Sequence, residues 1–106
     1  MAWGRLFLAG LLEVAWLVLM KQSAETSRPG LFLLAVVTSV ASFGFLYWAV
    51  RDLPLGTAYA VWTGIGAVGA TLAGIYWYDE SASVGRLFFL AMVVAGIIGL
   101  KWFDPV

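Results

Sequence analysis

One acidic residue stands where an acid is costly. Glu13 interrupts residues 6–19, a run that carries no other charge. An ionisable group near the middle of a membrane span faces a bundle interior or a water-filled cavity and takes a partner there. No basic residue lies at a comparable depth, so Glu13 has no fixed counter-ion in the sequence. The partners left to it are a proton or a mobile cation. Two copies of the carboxyl, brought together in a dimer, titrate as a coupled pair and can exchange protons for an incoming cation. A hydrogen bond to a neighbouring helix is the structural alternative.

Helical spacing places Gly10 and Trp16 on the stripe of Glu13, three residues to either side. Gly10 leaves a gap in the side-chain wall. Trp16 offers an indole N–H donor and a ring face that attracts cations. A membrane Trp can equally pack against lipid or a neighbouring helix. Ser42 lies near mid-depth in the next apolar run, with Thr38 and Ser39. Such hydroxyls either face a pocket or bond back to their own helix. Tyr59 and Trp62 are three apart and are followed by Thr63, Gly64 and Gly66. They can wall an aromatic pocket with polar groups or simply pack.

The elements that must position these residues follow from composition. The chain has 106 residues, of which 63% are hydrophobic and 11% charged, with a mean hydropathy of +0.97. Soluble domains carry about one quarter charged residues. Four helices of about 20 residues each, the length needed to cross about 30 Å of hydrocarbon, use nearly the whole chain. We expect an all-α membrane protein with spans near residues 3–21, 30–50, 57–78 and 85–103, forming a single domain over 1–106. The polar stretch 22–29 is expected to be a loop, with short turns at 51–56 and 79–83. Glu13 and the lack of a small-residue cleavage site argue against a cleaved signal peptide. There is no Cys and no His, which removes disulfides, thiolate chemistry and most transition-metal sites. No cofactor and no metal is expected. One mid-depth Glu without a second catalytic group is poor material for an enzyme. The net charge of zero gives no sign of nucleic-acid binding.

An even number of spans puts both termini on one side. Arg5, Arg51 and Lys101 then fall on one face of the membrane and Lys21, Arg28 and Arg86 on the other, three against three. The bias that normally orients a membrane protein is absent. Either another feature decides, or the chain inserts both ways and can pair with itself antiparallel. Small residues recur every fourth position at Gly66, Ala70 and Gly74, and again at Ala91, Ala95 and Gly99. Such stripes permit close helix contact. The last span otherwise carries mainly bulky apolar residues and reads as a packing helix. Residues 64–69 lack the Gly-Lys-Ser/Thr ending of a phosphate loop and instead let the third helix bend or pack closely.

Three segments carry a family resemblance: Gly10-Leu-Leu-Glu13-Val-Ala-Trp16, then Pro54-Leu-Gly-Thr-Ala-Tyr59-Ala-Val-Trp62-Thr-Gly-Ile-Gly66, and Gly96-Ile-Ile-Gly99-Leu-Lys101. Over nearly its whole length the chain resembles the small multidrug resistance transporters, and within them the guanidinium-exporter subtype. The resemblance implies four helices per chain and an antiparallel, dual-topology homodimer in the bacterial inner membrane. It implies export of guanidinium by alternating access, with protons as the coupling ion. Glu13 would be the carboxylate shared by proton and substrate. Trp16, Ser42 and Trp62 would orient it and line the pocket, Tyr59 would face the substrate or gate it, and Gly10 would give room. Helix four, with Ala91, Ala95 and Gly99, would pair the protomers. Three features depart from the family pattern: the first loop reads Ser23-Ala-Glu-Thr-Ser-Arg28 where Gly-Phe-Thr-Arg is common, Asp79 stands where Gly is frequent, and the tail reads Trp102-Phe-Asp-Pro-Val.

Guanidinium is planar and permanently charged, and it donates paired hydrogen bonds to a carboxylate. Other readings are an exporter of bulkier quaternary ammonium cations, one subunit of a heterodimeric pair, and a non-transporting membrane subunit that would tolerate loss of Glu13.

Overall fold

The computed structural model describes residues 1–103, and among them the regular structure is four helices. They are α1 (Ala2–Thr26), α2 (Pro29–Val50), α3 (Leu55–Trp77) and α4 (Val84–Trp102). Each is long and apolar enough to cross a membrane. In hydrocarbon every backbone N–H and C=O needs an internal partner, and an uninterrupted helix supplies it. The four expected spans are therefore present. Residues 104–106, the end of the expected domain, lie outside the described residues.

The first helix runs five residues past its expected end at Lys21, through most of the stretch read as a loop. Polarity there marks the exit from lipid, not the end of the helix. Lys21 and Glu25 form an i,i+4 ion pair at 3.9 Å, and Thr26 Oγ1 donates to the Gln22 carbonyl at 2.8 Å. The stop comes at Ser27, whose left-handed backbone (φ 54°) lets its N–H reach the Ser23 carbonyl at 2.8 Å. Pro29 then opens α2, a position where its missing N–H costs nothing. The connection between α1 and α2 is thus Ser27 and Arg28 alone.

Helices α1 and α2 run antiparallel, α1 and α3 parallel, and α4 returns antiparallel to α3. The backbone of α4 approaches that of α3 alone. Glycines set the spacing. A Cβ on Gly10 would meet Ile65 Cγ2 at 2.7 Å, and one on Gly69 would overlap Val14. On the other side of α3, a Cβ on Gly64 would meet Ile97 of α4 at 2.9 Å. Ile65, Val14 and Ile97 therefore fill notches in the facing helices among α1, α3 and α4, as helices in lipid require when packing replaces the hydrophobic effect as the driving force.

The core of Leu6, Ala9, Ala49, Leu53, Ala58, Val61 and Trp62 lies toward one end of the bundle. At that end Arg5 pairs with Asp52 at 2.9 Å and lies over Trp48, while Lys101 lies over Trp3. At the other end Lys21 lies over Tyr78, Tyr78 donates to Gln22, and Arg86 pairs with Glu80. The basic residues gather as the sequence divides them, beside aromatic rings suited to the lipid–water boundary.

Candidate functional site

Glu13 reaches the interior because α1 turns that face toward α3 at the level of Gly66. The residue is 8% exposed. Its carboxyl occupies the space a side chain at position 66 would need: a Cβ there would overlap Oε1 and stand 2.5 Å from Cδ. Among the described residues Glu13 has no ion pair and no hydrogen bond, and no cluster of ligands around it suits a metal. A buried carboxyl so placed is chemically incomplete. It is satisfied by a proton, or by a cation that brings its own donors.

Beside it, three helices are tied together by two hydrogen bonds. Ser42 of α2 is fully buried, and its Oγ donates to the Ala9 carbonyl of α1 at 2.7 Å. Trp62 of α3 donates its indole N–H to the same Oγ at 3.0 Å. One hydroxyl thus joins α1, α2 and α3 at the level of the turn preceding Glu13. Trp62 also stacks at a tilt against Phe43 and Tyr59, with centroids 5.2 and 5.8 Å away. Tyr59 is 58% exposed and opens the aromatic wall outward. Thr63, one turn on, bonds back to its own helix, as do Thr38 and Ser39.

The structure therefore joins Ser42, Tyr59 and Trp62 into one wall. Trp62 bonds to Ser42 and Ser42 to Ala9, and neither side chain bonds to Glu13. Trp16 is half-buried, and its indole N–H is buried without an acceptor among the described residues. That donor stays available one turn below the carboxyl. Gly10 faces Ile65, so it admits a neighbouring helix rather than space beside the acid. The glycine that accommodates the carboxyl is Gly66. In the sequence, Gly66 stands out among the small residues that follow Tyr59 and Trp62 and in the stripe of α3, but not as the seat of the carboxyl. Its facing partner depends on the register between α1 and α3.

Ala91, Ala95 and Gly99 lie on α4, which has no buried residue within this protomer. Cβ atoms on Gly96 and Gly99 would meet nothing within 4 Å. The small-residue face of α4 is open.

A protein with a buried carboxyl over Gly66 and a hydrogen-bonded Ser42–Trp62 pair on the neighbouring helices has clear relatives. The family profile described as Small Multidrug Resistance protein matches residues 1–93. A protein of Escherichia coli (strain K12) named guanidinium exporter is 52% identical over 101 residues, covering 95% of this chain and 96% of its own. The guanidinium exporter of Salmonella typhimurium (strain LT2) is also 52% identical, and that of Citrobacter freundii 50%, over the same shares of both chains. The profile match over residues 1–93 and the relatives that cover 95% of this chain make it, with its four helices long and apolar enough to cross a membrane, a member of the small multidrug resistance family of multi-pass transport proteins.

Proposed function

We propose that the protein exports guanidinium from the bacterial cytoplasm across the inner membrane, in exchange for protons. The observation that carries this reading is Glu13, buried over Gly66 with no cation of its own. The names of the relatives supply the substrate. Guanidinium carries a full charge and five or more N–H donors in a plane, and it can give a carboxylate two parallel hydrogen bonds. A proton gives the carboxylate one bond. The two occupants exclude each other, so a carrier that changes sides only when occupied couples inward proton flow to outward cation flow.

The working unit is an antiparallel homodimer. Two lines support it: basic residues balanced between the two membrane faces, and an α4 face with open Cβ positions at Gly96 and Gly99. Two Glu13 carboxyls then share one chamber, walled by Trp16, Ser42, Tyr59 and Trp62 from each protomer. Alternating access follows if the two protomers exchange conformations about a site that stays at mid-membrane.

The test is charge movement in proteoliposomes holding this chain alone. A guanidinium jump should give a current that Glu13→Gln abolishes while the variant elutes as the wild type does from a sizing column. Current from the Glu13→Gln protein overturns the mechanism. Current with a bulky quaternary ammonium and none with guanidinium overturns the substrate. Silence with both overturns the homodimer as the working unit.

A further inference from the structure

The helices leave one large cleft that the site does not use. It is about 780 Å³ and is lined by Trp3 and Phe7 of α1, Val61 and Ile65 of α3, and Ile98 and Lys101 of α4, with others. Its walls are apolar except at one end, where Lys101 lies with Nζ 5.0 Å from the Trp3 ring centre and Trp102 beside it. Val61 lies about 200° round α3 from Tyr59 but about 100° from Trp62, and Ile65 about 60° from Trp62. The cleft thus opens on the flank of α3 that Ile65 turns to Gly10 of α1, beside the aromatic wall.

Charge says what fits there. Among the described residues Arg5, Lys21 and Arg86 each have a carboxylate partner within 4.0 Å, whereas Arg28, Arg51 and Lys101 have none, and of these three Lys101 lines the cleft. It stands at a membrane–water boundary, framed by two indoles, at the mouth of an apolar channel. From Met1 to Phe7 the channel runs about 9 Å down α1, at about 1.5 Å per residue, into the acyl region. An ammonium at the surface with an apolar slot beneath it matches a headgroup phosphate above an acyl chain. We propose that this cleft holds a phospholipid with a net negative headgroup, one acyl chain lying between α1 and α4 over Val61 and Ile65, and the headgroup on Lys101.

The test is native mass spectrometry of the full chain, with phosphatidylglycerol or phosphatidylcholine of the same acyl chains added to the detergent-purified protein. The wild type should retain phosphatidylglycerol with about a fivefold preference, the worth of one Lys at an anionic lipid surface. Lys101→Gln should lose that preference, and Ile98→Trp, which fills the cleft, should lose retention of both lipids. Excess inorganic phosphate should not displace the lipid. Glu13→Gln should bind lipid as the wild type does, which separates this result from any failure of the transport reading. Equal retention of both lipids by the wild type, or an unchanged preference in Lys101→Gln, overturns the proposal. So does efficient disulfide formation between copies of Ile98→Cys, the sole cysteine in that variant, because a second protein chain then covers the cleft.

Discussion

Gly66 lies beneath the Glu13 carboxyl so closely that one methyl group on its Cα would overlap Oε1. The acid is seated by an absence on the neighbouring helix. Gly66→Ala should therefore displace the carboxyl, and guanidinium-evoked current should fall at least tenfold. Gly69→Ala crowds Val14 instead and should lower stability by about 1–3 kcal/mol, the usual cost of overpacking, with a smaller effect on the guanidinium KM. Currents and detergent melts on both variants check this. Equal KM shifts would mean that position 66 acts only through helix spacing.

Removing the Ser42 hydroxyl leaves the Trp62 indole N–H buried without its acceptor. Ser42→Ala should cost about 1–3 kcal/mol, the penalty for an orphaned buried polar group. Trp62→Phe removes the donor as well, so the double variant should be destabilised by less than the sum of the singles. A double-mutant cycle on unfolding in mixed micelles measures the difference.

Protons and guanidinium compete for one carboxyl in the proposed mechanism. The apparent guanidinium affinity should then weaken as pH falls, approaching tenfold per pH unit on the acid side when one proton is displaced. Binding by isothermal titration at several pH values measures this slope. A flat profile would separate substrate binding from Glu13.

Charges placed at one end of the bundle should orient the chain. Ser81→Lys with Ala82→Lys makes the balance five against three on the side of Lys21, Arg28 and Arg86. That side should then stay in the cytoplasm and a C-terminal reporter should move wholly outside. The wild-type chain should give signal on both sides. A wild-type reporter confined to one side would remove the charge argument for an antiparallel pair.

Asp79 has a left-handed backbone, φ 54°, at the turn where the resemblance leads us to expect Gly. Gly adopts that conformation without strain, and Asp tolerates it better than branched residues do. Asp79→Gly should leave the melting temperature unchanged or slightly raised, while Asp79→Val should lower it. A fall with Gly would show that the Asp carboxylate itself matters.

What the sequence discloses depends on whether one helix decides the matter. The four spans were legible because apolar length is a property of each segment alone. The division of basic residues was legible because only span parity was needed. The end of α1 was not, because residues 22–26 are both polar and helix-compatible, and only the αL turn at Ser27 stops them. Ser42 and Trp62 were legible as candidates, but their shared bond depends on three helices meeting. Gly10 and Gly66 illustrate the same limit. Spacing puts Gly10 on the stripe of Glu13, yet which glycine seats the carboxyl is decided by the α1–α3 register.

The open face of α4 has a consequence for how the protein is studied. In water, such an apolar surface would drive aggregation. In a bilayer it meets acyl chains as apolar as itself, so a lone protomer carries no hydrophobic penalty. In the proposed homodimer, association through α4 then answers to the density of protomers within the lipid, not to the volume of the solution. Diluting the protein into more lipid should thin the active population, and specific activity should rise with the protein-to-lipid ratio until every chain has a mate.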